Sequence, residues 1–345
     1  MIQTQKSFFL SQKWLPMSLL VPMIAWGAPH TQKGNSKISS QERPLYAVNM
    51  QDGGLILWES HRFSFSKLQS GRALNVSRTY RSRSIQKGYF GQGWCSFLET
   101  RLHFQGGGVV RLENCEWARP RLFSLNATAS AYVSEDQPDS QIRIHMGFYE
   151  YREKNQLQAR YNFRGLPIEI QLQDQLWQIK YGSQDRPTLL IGPHRDAITL
   201  KWHPILDLIE EMKSSATSIL KLKYEGFRLR RSQFQNEILD YQYDDLENLT
   251  LRRATEHTLK FHYRKSLDQI ESIEGVCREQ YEFLQPSATQ KKSVVKKSCG
   301  QSPLEITSFL FDINLAPRKP AQVQWDVEKI SQDRQSAQTR ATEVL

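Results

Sequence analysis

The sequence has few residues of the kinds that build metal, redox or catalytic centres. Only four of its 345 residues are cysteine, no two of them form a CxxC pair, and no histidine is spaced to complete a zinc site. None of the eight histidines pairs with a carboxylate at the spacing of a catalytic triad. The glycine run at 106–108 lacks the lysine and the helix of a phosphate-binding loop. We therefore expect no enzymatic activity, no cofactor and no bound metal.

Long apolar runs are also scarce, and the one at the N-terminus predicts export. Lys6 and Lys13 give a positively charged region before an apolar segment at 14–26, and no acidic residue occurs before Glu42. Small residues follow at 27 and 28, as at a cleavage site. The segment is short and broken by prolines, which disfavours a membrane span; an uncleaved N-terminal anchor is the alternative. We expect a periplasmic or extracellular protein with no transmembrane helix after signal cleavage.

The four cysteines fall into two local pairs, which fits an oxidising compartment. Cys277 and Cys299 flank one predicted hairpin and would face each other across it. Cys95 and Cys115 straddle a second hairpin that turns at the glycine run. We expect two disulfides, each closing a loop of about 20 residues and contributing roughly 3 kcal/mol.

Helical periodicity is missing over any stretch of twelve residues. Residues 205–213 are the best helix candidate, yet they are in phase with a strand pattern. Short alternating runs between turn residues predict strands throughout. An aromatic residue also recurs about every twenty positions, the length of one hairpin. These seven aromatic anchors are Tyr161, Tyr181, Trp202, Tyr224, Tyr243, Tyr263 and Phe283. The prediction is an all-β fold of stacked antiparallel hairpins, forming a long curved sheet or a partial β-shell.

Two segments resemble the Rhs and teneurin superfamily, whose proteins carry YD repeats. The first resembles the conserved module that precedes the repeats, approximately R-x-Y-N-S and then G-x-F-G-x-G-W. Its matching residues are Arg78, Tyr80, Ser82, Gly88, Phe90, Gly91, Gly93 and Trp94. The second resembles one repeat, Tyr-x-Tyr-Asp before a turn and Asn-Leu-Thr after it. Its matching residues are Tyr241, Tyr243, Asp244, Asn248, Leu249 and Thr250.

The matching copy departs from the pattern at one position, where Glu247 replaces the usual turn glycine. The other copies are degenerate, and the aspartate is lost where Arg264 follows Tyr263 and Arg164 follows Phe163. The resemblance implies hairpins that spiral into a hollow shell around a toxin or cargo. With six or seven repeats and no long segment after Phe311, we expect an open, partial shell here.

Composition and resemblance together divide the chain into five parts. These are a signal peptide at 1–28, a flexible linker at 29–44, an Rhs-like N-terminal β module at 45–135, YD-type hairpin repeats at 136–315, and a polar tail at 316–345 that we expect to be disordered.

The expected function is that of a non-enzymatic structural or binding module at the cell envelope, as a stand-alone part of an Rhs-type toxin or delivery system. The alternatives are a secreted carbohydrate-binding adhesion protein and, third, a hydrolase with its site in the loops between repeats. The sequence does not identify the partner. A net charge of +10 makes envelope polysaccharide one candidate, and another protein of an Rhs-type system is the second. Nucleic acid is not an expected partner.

Overall fold

The computed structural model of the chain describes residues 45–312, apart from nine short gaps. The gaps are 66–72, 116, 118, 127, 129, 265–266, 288–289, 301 and 303. The predicted signal peptide and linker lie outside the described residues, as does the chain from 313 to 345, so the predictions for these segments stay predictions.

A small sheet of four antiparallel strands forms the first layer, which we call the inner sheet. Its strands, in spatial order, are β1 (Tyr46–Val48), β2 (Leu55–Ser64), β3 (Ala73–Arg81) and β6 (Trp94–Ser96). A two-stranded ribbon, β4 (Lys87–Gly88) and β5 (Gly91–Gln92), lies in the loop before β6. This layer contains the whole of the first motif.

The second layer is a single antiparallel sheet of 21 strands, which we call the long sheet. Each strand pairs with its neighbours in sequence, and no pairing between the first and last strands occurs in the described part of the chain, so the sheet is open. Its strands are β7 (Arg101–Gln105), β8 (Val109–Glu113), β9 (Arg121–Asn126), β10 (Ala131–Val133), β11 (Ser140–His145), β12 (Phe148–Glu153), β13 (Gln156–Tyr161), β14 (Pro167–Leu172), β15 (Gln175–Tyr181), β16 (Pro187–Ile191), β17 (Ala197–Trp202), β18 (Ile209–Ser214), β19 (Ile219–Glu225), β20 (Arg228–Phe234), β21 (Glu237–Tyr243), β22 (Leu249–Arg253), β23 (Thr258–Arg264), β24 (Gln269–Glu274), β25 (Arg278–Ser287), β26 (Gln290–Ser298) and β27 (Glu305–Asp312).

The predicted all-β fold of stacked hairpins in a long curved sheet is therefore confirmed. The helix candidate at 205–213 forms a turn and the first part of β18, as its strand phase indicated. The helical content of the described residues is four single 3-10 turns: Phe97–Glu99, Gly106–Gly108, Ser183–Asp185 and Pro193–Arg195. No helix in this part of the chain is long and apolar enough to cross a membrane.

The aromatic anchors sit at irregularities in the strand pairing. The register shifts beside six of the seven anchors, from Tyr161 to Tyr263, each time at or near the end of an odd-numbered strand. Such bulges bend a strand and increase its twist, which suits a sheet that must curve. Three anchors also donate to a backbone carbonyl of the neighbouring strand: Tyr181 to Pro167 (2.7 Å), Trp202 to Pro187 (2.8 Å) and Tyr224 to Ile209 (2.7 Å). Each of these side chains therefore links its own strand to the preceding strand of the sheet.

The inner sheet packs one face against the long sheet, and the hydrophobic core lies between them. Alternate residues of β2 are buried. The side chains of β2 and of the residue just past it contact several strands of the long sheet. Glu59 reaches Arg252 on β22, Phe63 contacts Phe234 on β20, and Phe65, just past β2, contacts Trp177 on β15. The anchors point into this core, so the inner sheet covers the surface that the repeats would otherwise expose.

Both predicted cysteine pairs form disulfides, Cys95 with Cys115 and Cys277 with Cys299. The second closes the hairpin of β25 and β26, as expected. The first has a wider role than the predicted bridging of one hairpin, because Cys95 lies on β6 of the inner sheet and Cys115 follows β8 of the long sheet. It therefore joins the two layers covalently.

The predicted division at residue 135 stays a prediction. Strands β7 to β10 fall on its N-terminal side, yet they belong to the same sheet as the repeats.

Candidate functional site

The two motifs meet where the inner sheet packs on the long sheet, although 163 residues separate Arg78 from Tyr241. The Arg78 guanidinium donates from Nη2 to the Tyr241 hydroxyl at 2.9 Å. Trp94 donates from Nε1 to the Tyr243 hydroxyl at 2.9 Å. We call this group of interlocked residues the motif contact. It joins the two layers through side-chain hydrogen bonds.

Tyr80 completes the motif contact by bonding the turn of the second motif. Its hydroxyl accepts from the Leu249 backbone N–H at 2.9 Å and lies 3.4 Å from the Glu247 carbonyl oxygen. Its ring lies beside Trp94, with 5.4 Å between centroids. Burial, followed by the nearby tyrosines Tyr263 and Tyr243, raises the pKa of Tyr80, so the hydroxyl stays protonated and can serve as donor and acceptor.

Arg78 is an almost fully buried cation among aromatic rings. Its guanidinium carbon lies 5.0 Å from the Trp94 ring centroid, 5.8 Å from that of Tyr241 and 6.0 Å from that of Phe90. The faces of these rings are negative, so they stabilise the cation where water is excluded. Within the described residues its Nε and Nη1 have no hydrogen-bond partner. Arg78 shares this buried face of β3 with Leu74 and Val76, two and four residues before it.

The glycines of the first motif permit close approach between segments of the backbone and their neighbours. Gly93 has φ +74°, and a Cβ there would lie 2.8 Å from the Tyr80 ring. Gly91 has φ +108°, and a Cβ would lie 2.6 Å from the carbonyl oxygen of Phe227 in the long sheet. At Gly88 a Cβ would lie 2.0 Å from the Trp94 carbonyl oxygen. A side chain at Gly91 would push the inner layer away from the long sheet, and side chains at Gly88 and Gly93 would disturb the inner layer itself.

The remaining residues of the first motif organise the inner sheet itself. The Ser82 hydroxyl accepts from the Leu55 backbone N–H at 2.9 Å and so ties the end of β3 to β2. Glu99, which follows the motif, accepts from the Tyr89 N–H at 2.6 Å and from the Ser96 N–H at 2.8 Å. Burial raises the pKa of Glu99 to about 7, although these donors act in the opposite direction.

In the second motif the aspartate caps the turn. Asp244 Oδ1 accepts from the Leu246 N–H at 3.0 Å and from the Asn248 N–H at 2.8 Å. Asn248 in turn donates to Asp268 Oδ1 at 3.2 Å, in the next hairpin, and Thr250 donates to the Gln242 carbonyl at 3.2 Å. The motif therefore closes one turn and links it to its neighbour.

The first copy has no aspartate, and another acceptor replaces it. Asn162, which follows the anchor Tyr161, accepts from the Arg164 and Leu166 N–H groups at 2.9 and 3.1 Å. His203 after Trp202 does the same through Nδ1. Three chemically different acceptors thus serve at this position in three of the turns.

A buried polar cluster beside the motif contact escaped prediction from the sequence. Arg252 Nε donates to Glu59 Oε1 at 2.7 Å, and both side chains are almost fully buried. His61, also buried, lies beside the Phe234 ring with 5.0 Å between centroids and a tilt of 37°. Burial, and then the charges of Arg78 and Arg252, lower the pKa of His61. The signal in the sequence was a carboxylate and an imidazole on the apolar face of an alternating strand.

The solvent-facing side of the long sheet carries ordinary surface grooves. One of them, about 680 Å³, is lined by β23 to β25 and includes His262, Glu271 and Glu274. His262 and Glu274 lie 3.6 Å apart, and both are exposed. No cluster of three or more side chains suited to a metal ion occurs among the residues that the structure describes. The His262 and Glu274 side chains lie at the surface in contact with solvent.

Comparison with known proteins gives a match to the inner-sheet region. Residues 46–117 match a family described as a domain of unknown function, DUF6531. That segment spans β1 to β8 and contains the whole first motif. No curated protein matches the chain.

A solved structure described as the crystal structure of TcdB2-TccC3-TEV is similar to the chain at 11% identity and a TM-score of 0.29. The similarity covers 84% of this chain and 16% of that one, so the chain spans less than a fifth of its length.

Proposed function

We propose that this protein is an exported, non-enzymatic β-scaffold of Rhs type that acts as a structural or binding module at the cell envelope. It would be a stand-alone part of an Rhs-type toxin or delivery system. The observation that carries the proposal is the motif contact. Residues chosen for their resemblance to two Rhs motifs, far apart in sequence, bond directly to one another.

The placement of the aromatic anchors supports a scaffold over a carbohydrate-binding surface. A sugar-binding protein needs exposed aromatic rings on which the sugar can stack. Tyr161 is fully buried, and the other six anchors pack against the same core. Their rings are therefore used to hold the layers together.

The inner sheet also bears on the role of the shell. In a cargo-enclosing shell the inner face must be free for a toxin. Here that face packs on the inner sheet through a buried ion pair, aromatic contacts and one disulfide. Any partner would therefore bind outside the layered core, as suits a module of a larger assembly.

Two disulfides in the described part of the chain support export, because such bonds persist in oxidising compartments. The test is to express the tagged full chain in a bacterial host and to compare cytoplasm, periplasm and medium. A matched chain lacking residues 1–28 is the control for the signal. Recovery of the full chain from periplasm or medium, with the control retained in the cytoplasm, is expected. Equal retention of both would refute export.

The scaffold role is tested on the exported chain by crosslinking in the cell, followed by mass spectrometry. A structural or binding module predicts reproducible crosslinks to one envelope polymer or one partner protein. A chain that crosslinks to nothing in the envelope, in repeated experiments, would contradict the proposal.

A further inference from the structure

Strand β27 forms the C-terminal edge of the described long sheet. It runs over eight residues, Glu305–Asp312, and pairs with β26 through eight consecutive residues without a register shift. Among the residues that the structure describes, β26 is its only strand partner. The outer side of an edge strand presents backbone N–H and C=O groups to which another strand can bind. The edge of β27 is therefore a site for a further strand.

The sequence of β27 lacks the features that blunt an edge. Natural edge strands are short, carry lysine or proline, contain a bulge or are covered by a loop. The opposite edge of the sheet, β7, has five residues, and the Leu102 N–H donates to the Gly165 carbonyl of a turn at 3.0 Å. Strand β27 contains neither lysine nor proline, and its pairing has no bulge. It is therefore suited to pairing with another strand.

The chain beyond β27 contains a run with the pattern of such a strand, residues 322–328, which we call the tail segment. Val323, Trp325 and Val327 alternate there with polar residues, which is the period of a strand with one buried face. No comparable run occurs elsewhere in the sequence after Asp312. The polar composition that predicts disorder for the tail as a whole therefore does not describe this segment.

The connection between β27 and the tail segment suits an antiparallel pairing. Residues 313–321 would form the loop, and neighbouring strands in a sheet are only about 4.8 Å apart. Pro317 and Pro320 fall in this loop, where the missing N–H group of proline removes no bond between strands. The pairing would also continue the order of the long sheet, in which each strand pairs with its neighbours in sequence.

The buried face of β27 selects one register for the tail segment. Phe309 is 2% exposed and belongs to the hydrophobic core. If Trp325 lies opposite Phe309, Val327 lies opposite Thr307, two residues away on the same face. A slip of one residue would move the apolar side chains of the segment to the solvent face. In the selected register these side chains extend the core past β27.

The other face of the tail segment is complementary in charge to β26. In the same register Glu328 lies opposite Ile306, and Ile306 pairs with Lys296 of β26. Lys292 lies on the same face of β26 as Lys296, and Asp326 on the same face of the segment as Glu328. Two acidic residues of the segment are therefore placed near two lysines of the sheet. Opposite charges on nearby strands stabilise a sheet.

We propose that the tail segment is a further strand of the long sheet, paired antiparallel with β27. The occupant of this edge is the chain's own residues 322–328. The pairing covers backbone groups by which copies of the chain would otherwise associate. This inference concerns the end of the sheet, and it does not depend on the proposed role at the cell envelope.

The test is amide hydrogen exchange of the full, oxidised chain, followed by mass spectrometry. Trp325→Asp places a charge on the core face of the tail segment, and the matched control Gln324→Asp places the same charge on its solvent face. In the native chain and the control, we expect slow exchange in peptides covering 305–312 and 322–328. In Trp325→Asp both peptides should exchange at least about tenfold faster, while β21 to β24 remain protected.

Exchange of residues 322–328 at the rate of an unfolded peptide in the native chain would overturn the proposal without the use of any variant. So would native protection of both peptides in Trp325→Asp. Equal loss of protection in Trp325→Asp and Gln324→Asp would show that the segment has no buried face, and would refute the pairing.

Sedimentation velocity of the native chain over a concentration series identifies the occupant of the edge. A monomer in which residues 322–328 are protected is the expected result, and it supports pairing within one chain. A dimer that Trp325→Asp dissociates would assign the edge to the tail of a second copy, and would overturn the proposal.

Discussion

The buried ion pair between the layers gives the sharpest prediction. Arg252 on the long sheet and Glu59 on the inner sheet are 7% and 4% exposed, with two hydrogen bonds between them. Substituting Arg252→Met keeps the volume of the side chain but leaves the Glu59 carboxylate buried without its cation. Breaking a buried pair in this way costs about 3–5 kcal/mol.

Urea unfolding at neutral pH, followed by tryptophan fluorescence, measures this cost. At an m-value of about 3 kcal/mol/M, the midpoint for Arg252→Met should fall by roughly 1–1.7 M. The matched control is Arg231→Met, which removes an Arg–carboxylate contact of similar length, with Asp240, at an exposed site. The midpoint of that variant should not move.

The double variant Glu59→Met/Arg252→Met separates loss of the pair from loss of a charge partner. Two well-packed apolar side chains avoid the burial of a lone charge, so most of the lost stability should return. If Arg252→Met and Arg231→Met unfold at the same midpoint, the reasoning fails, because Glu59 would then not be buried against the long sheet. If the double variant is as unstable as Arg252→Met, the cost lies in packing and not in charge.

Three further outcomes follow from the same interface. Burial lowers the pKa of His61 in the folded protein from its usual 6.5, so the free energy of unfolding is highest above about pH 6.5 and falls as the pH drops below that value. His61→Gln should reduce this loss of stability in acid, measured by urea unfolding at several pH values. An unchanged pH dependence would exclude His61 as its source. Gly93→Ala, where a Cβ meets the Tyr80 ring, should destabilise the protein more than Gly107→Ala, which has a similar φ but open space; equal losses would show that only backbone strain matters. Thiol titration of the denatured, unreduced exported protein should detect no free cysteine, and a count of four would refute both disulfides.

The motif contact explains why residues resembling family motifs need not form a chemical site. Arg78, Tyr80 and Trp94 bond to the second motif, and the glycines between them allow that approach. Each residue is used for assembly of two layers. In the folded chain the two motifs form an internal contact between the layers.

Local features of the sequence were sufficient to predict strands. Alternation predicted β22 at residues 249–253, and the cysteine spacing predicted the bond across β25 and β26, because both depend on neighbours within one hairpin. The aromatic period predicted the repeat length for the same reason. The turn acceptors Asn162 and His203 were missed because their role depends on backbone geometry, and that geometry accepts several residue types.

The sequence by itself determined the elements of this protein, their order and the face that each strand buries. Only the tertiary structure decided which buried faces meet. Alternation with a period of two shows that Glu59 and Arg78 point inward, but it carries no information about a partner 193 or 163 residues away. The same limit hid the joining of the two sheets by Cys95 and Cys115. These contacts form only when the inner sheet packs on the long sheet.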